Sequence, residues 1–236
     1  MSVFSKPRDW HNDFHTRHAQ VSNPILKDFY DAQLPDSLES LANIEFVAMD
    51  FETTGLNPES DGIVSIGLVP FTLRRILLNS AKQWKLKPRI PLANQSVVIH
   101  GITHDDIIGA PDFIEVYPEV LKHLKGKVVV AHFHQIERLF FKRAMQIRLN
   151  EDIEFPIVDT FLIENQHQNH WMKRFNRWLH KQPTPSLRLG KCRARYDLPA
   201  YTPHHALTDA IATAELLQAQ ISHHFDSKQP IKDFWL

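Results

Sequence analysis

Short apolar runs separated by polar segments predict a domain that mixes strands with helices. Residues Phe46–Met49 and Phe51 form a run that is too short, and too rich in β-branched and aromatic side chains, for a helix. A continuous apolar run at 127–132 is typical of a strand inside a sheet that is covered on both faces. Further strands are predicted at 63–71, 76–85 and 155–160, with a hairpin joining the first two.

Apolar residues at helical spacing follow the third strand. They predict a helix capped by Thr103, a second at Phe113–Leu124 and a third marked by Ile136, Phe140, Ala144 and Ile147. A last helix is predicted to begin with Thr202 as its cap and Pro203 in its first turn. The order β-β-β-α-β-α-β-α predicts an α/β protein: a mixed five-stranded sheet with helices on its faces.

The two ends of the chain are predicted to lie outside this domain. Residues 1–43 are polar with scattered aromatics, and Ile25, Phe29 and Ala32 predict a short amphipathic helix at about 23–33. We therefore expect an N-terminal helical extension (1–43) packed on a main domain (44–225), and a C-terminal tail (226–236).

Composition limits the functions that the chain can have. The 236 residues suffice for one domain with a modest extension, and 43% hydrophobic and 23% charged residues are ordinary for a globular protein. A formal net charge of zero argues against a broad basic surface for long duplexes, although a site for a few nucleotides needs only local charge. Cys192 is the single cysteine, which excludes an intrachain disulfide. Without a signal peptide or an apolar run near the roughly 20 residues of a membrane helix, we expect a cytoplasmic protein.

Two carboxylates at the end of the first predicted strand indicate a cation site. Asp50 and Glu52 are two residues apart, so in a strand they project from the same face. Like charges on a buried face repel each other and are costly to desolvate, and a divalent cation between them relieves both costs. Ser65 and Gly67 keep one face of the second strand small, as expected beneath a crowded site. The alternative is a frayed strand end at which both carboxylates face water.

Asp209 is the third candidate. It lies beside the apolar stripe of the last predicted helix, next to Ala210, so we expect it to be partly buried and to need a partner. A surface aspartate near a helix start is the alternative.

Three segments together resemble the DEDDh (DnaQ-like) 3′–5′ exonuclease family. The pattern Asp-x-Glu-Thr-Thr-Gly-Leu matches residues 50–56, and His-x-Ala-Leu-x-Asp-Ala matches residues 204–210. The linking element His-Gly-Ile-Thr matches residues 100–103. The motifs occur in the family's order and at its usual separations over about residues 44–222. The resemblance implies a ribonuclease H-like fold.

The second family motif departs from its usual form. The family reads Ala-His-Asn-x-x-Phe-Asp, whereas residues 131–137 place Glu137 where the aspartate stands. The extra methylene moves the carboxylate by about 1.5 Å, one single bond. Charge and oxygen donors are retained, and a glutamate reaches an ion through another rotamer or through water. Impaired metal binding is the alternative.

The resemblance implies a two-metal phosphodiesterase. Two Mg²⁺ or Mn²⁺ ions would be held about 3.5–4 Å apart on either side of the scissile phosphate. The implied ligands are Asp50, Glu52, Glu137 and Asp209. His204, rather than the adjacent His205, would take the proton from the attacking water, since imidazole is largely neutral at physiological pH. Ligand sets made only of oxygen favour hard cations, and no Cys or His spacing supports zinc.

Substrate contacts follow from the same motifs. Thr53, Thr54 and Leu56 are expected to contact the terminal nucleotide, with His100 lining the same pocket. Each has a structural alternative: turn-forming threonines, a core leucine and a loop histidine. The basic segment 166–201 either follows a phosphate backbone or is a solvated face. Asp159 is expected to support the site without being a ligand.

Two functions are compatible with these residues. The first is a metal-dependent 3′–5′ exonuclease that releases nucleoside monophosphates from single-stranded or frayed 3′ ends, with DNA favoured over RNA. The second is an end-binding or polymerase-associated accessory module whose turnover is lost through Glu137. A polymerase or repair partner is compatible with both, and the oligomeric state stays open.

Overall fold

The computed structural model describes residues 8–89, 101–170, 172, 179–181 and 183–236. Within these ranges the strands are β1 (Phe46–Thr53), β2 (Ile63–Thr72), β3 (Arg75–Ile76), β4 (Lys82–Lys85), β5 (Val128–Ala131) and β6 (Ile157–Asp159). The α-helices are α1 (Trp10–Gln20), α2 (Pro24–Tyr30), α3 (His104–Ile107), α4 (Phe113–Leu124), α5 (Gln135–Leu149), α6 (Thr160–Gln168), α7 (Leu189–Ala194) and α8 (Ala206–His224).

All six strands belong to one mixed sheet with the order β3-β2-β1-β5-β6, and β4 also pairs with β2. β2 runs antiparallel to β1, whereas β5 is parallel to β1 and to β6. The α/β class and the mixed sheet are confirmed.

The predicted count of five strands is wrong, because the third predicted strand is divided. A 3₁₀ helix at Leu78–Ser80 separates β3 from β4. β3 pairs with the end of β2 near Phe71, while β4 pairs with its middle at Ser65–Leu68. Asn79 and Ser80 are residues that favour turns.

Helices cover both faces of β1. α8 packs across β1 and β2. From the other face, Phe141 of α5 packs edge-on against Phe51, with ring centroids 6.1 Å apart. Since Phe51 points away from its neighbour Asp50, the strand is enclosed between the two helices. None of the described helices is both long and apolar enough to cross a bilayer.

The predicted N-terminal extension carries two helices on the main domain. The helix predicted at 23–33 corresponds to α2, with Asn23 as its N-cap. α1 was not predicted, because only Trp10 and Phe14 of its eleven residues are buried and too few apolar positions remain to show a helical period. Both aromatic side chains belong to the main hydrophobic core.

The predicted C-terminal tail also packs against the domain. Ile231, Phe234 and Trp235 are buried. Trp235 forms a bridge with Val158, and the N–H of Leu236 donates to the carbonyl of Ile157 at 2.9 Å. These contacts cover the outer edge of β6, which would otherwise expose unpaired backbone groups.

Candidate active site

β1 and β2 form the floor of the site. Asp50 lies opposite Gly67 in their pairing, and Glu52 lies opposite Ser65. A Cβ on Gly67 would lie 2.3 Å from the carbonyl carbon and oxygen of Ala206, closer than real contacts allow. The small face that the sequence shows on β2 therefore admits the backbone of α8 directly beside Asp50.

The start of α8 differs from the prediction. The helix begins at Ala206, and Thr202 and Pro203 precede it in an irregular segment. The reason is His204, whose φ of 70° is left-handed and ends any helical path. The backbone N–H of His204 donates to Oδ2 of Asp209 at 2.8 Å, which ties this turn to the first turn of α8.

Three carboxylates converge between β1 and α8. Oxygen atoms of Asp50, Glu52 and Asp209 all lie within 4.8 Å of one another. Burial, and then the negative charge of Asp209, raises the pKa of Glu52 to about 7. Burial also raises the pKa of Asp50, and the charges of Glu137, Asp209 and Glu52 raise it further. Without a cation this cluster is therefore strongly self-repulsive.

Glu137 approaches the cluster from the buried face of α5. It is in the first turn of that helix and is 2% exposed. It does not belong to the tight group of three, but its charge is the largest electrostatic contribution to the raised pKa of Asp50. Burial raises the pKa of Glu137, while hydrogen bonds from its own N–H and that of Phe51 offset part of the effect.

The donor set fits a hard divalent cation. Within the part of the chain that the structure describes, Oε2 of Glu137 and Oδ1 of Asp209 are buried without a hydrogen-bond partner. Orphaned carboxylate oxygens in a buried site are costly, and oxygen-coordinating Mg²⁺ or Mn²⁺ removes that cost. The geometry thus favours a cation cage over a frayed, solvated strand end.

Asp159 holds the loop that precedes α5. It is buried and accepts hydrogen bonds from the backbone N–H groups of Phe133, His134, Phe161 and Leu162. Nδ1 of His134 also lies 2.6 Å from its Oδ2. Burial alone would raise the pKa of Asp159, but the hydrogen bonds and charge of His134 outweigh it and hold the pKa below its usual range. Asp159 thus positions the first turn of α5.

The predicted substrate contacts are placed in different ways. Leu56 is 82% exposed in the loop that follows β1, which excludes the alternative of a core leucine. The hydroxyl of Thr53 donates to the Gly55 carbonyl at 2.6 Å, and that of Thr54 donates to Asp61 at 3.2 Å. Both hydroxyl protons are thus used within this loop, and each hydroxyl oxygen could meet a nucleotide only as an acceptor. His100 lies outside the described residues.

Sequence reasoning missed two supporting residues. Asp61 accepts hydrogen bonds from Thr54 and from the N–H of Asn57, and it packs where a Cβ on Gly55 would lie. Tyr201 contacts Asp209. The pKa of the Tyr201 hydroxyl is raised mainly by burial, and then by the charge of Asp209 and a hydrogen bond to it. Neither position carries a sequence signal of its own, because each acts through a partner brought near by the fold.

His204 and His205 are both exposed at the mouth of the site. They differ in backbone: His205 is extended and occupies the N-cap position of α8, whereas His204 is the left-handed residue bonded to Asp209. His204 is therefore bonded to the carboxylate of Asp209, whereas the carbonyl of His205 accepts from the backbone N–H of Asp209 at 2.9 Å.

The sequence profile of the RNase T family, described as an exonuclease, matches residues 47–217. The chain belongs to this exonuclease family. The match runs from Val47 in β1 to Leu217 in α8, and the expected DEDDh (DnaQ-like) membership is confirmed. An exonuclease of this family is a hydrolase, which agrees with the prediction of an enzyme.

Two curated proteins are similar in sequence to this exonuclease. The exonuclease is 29% identical over 194 residues to a DNA polymerase III PolC-type of Thermotoga petrophila, covering 82% of this chain and 12% of that protein. It is 25% identical over 189 residues to the DNA polymerase III subunit epsilon of Treponema pallidum, covering 77% of this chain and 79% of that one. The chain therefore spans about an eighth of the PolC-type relative and about four fifths of the epsilon subunit.

Solved structures share the fold of this exonuclease. The nuclease domain of 3′hExo, a DEDDh family member bound to rAMP, has a TM-score of 0.61 at 17% identity, over 80% of this chain and 96% of that one. Exonuclease X in complex with 5′ overhanging duplex DNA has a TM-score of 0.58 at 21% identity, over 80% and 98% of the two chains.

Proposed function

We propose that this exonuclease removes nucleoside monophosphates one at a time from the 3′ end of single-stranded or frayed nucleic acid, with DNA as the favoured substrate. The observation that carries the proposal is the convergence of Asp50, Glu52 and Asp209 within 4.8 Å. A protein that only bound nucleic-acid ends would gain nothing from a buried acidic cluster that repels phosphate.

Four side chains would hold the metal: Asp50, Glu52, Glu137 and Asp209. When bound, a pair of Mg²⁺ or Mn²⁺ ions supplies positive charge to the phosphate and lowers the pKa of water. The contribution of the protein is to hold these oxygens close together on a rigid strand and two helix starts. The Glu137 side chain reaches in from α5, and its unpaired Oε2 provides a donor despite the departure from the family pattern.

His204 would receive the proton from the attacking water. Its exposed imidazole lies in the turn that its own N–H anchors to Asp209 at 2.8 Å. This anchor keeps the base beside the acidic cluster while the ring itself stays open to substrate and to solvent. A positioned base of this kind typically contributes about 10²–10⁴-fold to a rate.

The pathway is a separate part of the proposal. Both curated relatives are named as DNA polymerase III proteins, which supports a polymerase or repair partner. The two structural neighbours are described with rAMP and with DNA, so the fold is compatible with either nucleic acid. We expect single-stranded 3′ ends to be the shared feature of its substrates.

A gel assay tests the proposed activity. Oligonucleotides of matched DNA and RNA sequence, labelled at the 5′ end, are incubated with protein and Mn²⁺ or Mg²⁺. We expect a ladder of shortened products that EDTA abolishes and that the isosteric Asp50→Asn variant does not form. Intact substrate that stays bound would instead support the end-binding module, and a ladder from both proteins would contradict the assignment of the site.

A further inference from the structure

Phe133 is held in an unfavourable conformation at the surface. It lies in the loop between β5 and α5 with a φ of 80°, and its side chain is 39% exposed. A bulky residue with left-handed backbone is strained, and exposing an aromatic ring forgoes its burial. The family motif has asparagine at this place, a residue that tolerates such a backbone. The strained backbone and the exposed ring together indicate that the Phe133 side chain contacts a ligand.

Phe133 is held both through its backbone and through its ring. Its backbone N–H donates to Oδ1 of the buried Asp159 at 3.1 Å. Phe161 packs against it with ring centroids 5.2 Å apart, and His132 packs behind Phe161 at 5.8 Å. His132 itself is held by the Thr160 hydroxyl and a backbone carbonyl, at 2.9 and 2.8 Å. Phe133 and Phe161 thus form a preorganised aromatic pair.

The aromatic pair lies at the same edge of the sheet as the carboxylates. β5 runs parallel to β1 with Val130 opposite Ala48, so two residues further on His132 reaches the level of Asp50. Phe133 comes next, and Glu137 follows one helical turn later. The loop that carries Leu56 leaves β1 toward its other neighbour, β2. The carboxylates therefore lie between Leu56 and the aromatic pair.

We propose that Phe133, supported by Phe161, stacks on the nucleobase upstream of the 3′-terminal nucleotide. The proposal rests on the proposed function, in which the terminal nucleotide contacts Leu56 and the scissile phosphate enters the acidic cluster. The strand then leaves on the opposite side, where the ring is exposed. Base–aromatic stacking supplies affinity that is independent of sequence, which suits a chain whose zero net charge argues against a broad basic surface.

Two substrates separate stacking from catalysis. One is a single-stranded oligonucleotide, and the other is the p-nitrophenyl ester of thymidine 5′-monophosphate, which has no upstream base. We expect Phe133→Asn to raise KM for the oligonucleotide by about 5- to 100-fold with little change in kcat. The ester should be hydrolysed as by wild type, and Phe133→Trp should restore the oligonucleotide KM. Leu139→Asn, at an exposed apolar position of the following helix α5, is the matched control and should change neither KM nor the hydrolysis of the ester.

Equal losses of activity on both substrates would overturn the proposal, because they would show a general defect of the site. Unchanged activity on both substrates would also overturn it. If wild type hydrolyses neither substrate, the proposed function has failed. A binding measurement then tests the stacking role of Phe133 on its own. The fluorescence of an oligonucleotide with 2-aminopurine at the second position from the 3′ end should be quenched on binding to wild type and not on binding to Phe133→Asn. Quenching that is the same in both proteins would overturn the stacking role.

Discussion

Gly67 lies opposite Asp50 across β1 and β2, and a Cβ at residue 67 would lie 2.3 Å from the Ala206 carbonyl. The sheet and α8 therefore touch through their backbones at this point. The contact sets how close Asp209, in the first turn of α8, comes to the carboxylates of β1.

Gly67→Ala tests this contact. The added methyl group must displace the first turn of α8, so we expect a loss of about 1–3 kcal/mol in the free energy of unfolding and a larger proportional loss of nuclease activity. Denaturant unfolding and the oligonucleotide assay measure the two effects. Gly190→Ala in α7, where a Cβ would meet nothing within 4 Å, is the control and should be neutral or slightly stabilising. Equal behaviour of the two variants would contradict the close approach.

The elements that could be predicted from sequence are those with a clear local period. β1 was predicted from its apolar run, and the continuous run at β5 gave a strand buried on both faces. α1 could not be predicted, since it buries only Trp10 and Phe14. The division of the third strand depends on which part of β2 each half pairs with, which is a tertiary choice.

The candidate site was predictable to the extent that it lies in contiguous motifs. Asp50, Glu52 and Asp209 were named from sequence, and the structure brings them together. The start of α8 was predicted wrongly. Thr202 and Pro203 are residues that favour the first turn of a helix, but the left-handed backbone of His204 ends any helical path there. Supporting residues such as Tyr201 act only through contacts made by folding.

The pH dependence of stability follows from Glu52. Its pKa is raised from 4.5 to about 7 in the metal-free fold. A raised pKa contributes stability that is fully present below the unfolded value and is lost as pH rises through the folded value. Glu52→Gln carries no charge, so at pH 8 it should be more stable than wild type by about 1–3 kcal/mol, with the difference vanishing near pH 4.5.

Thermal unfolding in EDTA at several pH values measures this difference. Glu45→Gln, at an exposed position before β1, is the matched control. Adding Mn²⁺ at pH 8 should raise the Tm of wild type more than that of Glu52→Gln. A stability difference between Glu52→Gln and wild type that does not change with pH would show that Glu52 is not in a repulsive cluster.

Glu137 is expected to serve as a ligand in spite of its length. Glu137→Ala should lower kcat by roughly 10- to 100-fold. Because it removes a buried carboxylate whose Oε2 has no hydrogen-bond partner, it should also stabilise the metal-free protein. Glu137→Asp should keep activity or change the preference between Mg²⁺ and Mn²⁺. Steady-state kinetics in each metal measure both effects, with Gln135→Ala, exposed in the same helical turn, as control. Unchanged kinetics in Glu137→Ala would remove it from the ligand set.

His204 and His205 provide a paired test of the general base. His204→Asn should lower kcat by about 10²-fold or more, and asparagine is chosen because it accepts the left-handed backbone. His205→Asn should have a small effect, since His205 meets Asp209 through its backbone carbonyl, which accepts from the Asp209 N–H at 2.9 Å, and not through the Asp209 carboxylate. Single-turnover rates compare the two variants. A larger loss in His205→Asn would assign the base to the neighbouring residue.

The most direct measurement is a crystal structure of the protein soaked in Mn²⁺ and recorded at the manganese absorption edge. We predict anomalous peaks about 2.0–2.4 Å from oxygens of Asp50, Glu52 and Asp209, with Glu137 completing the shell directly or through water. An ordered site that shows no anomalous peak between these carboxylates would contradict the account.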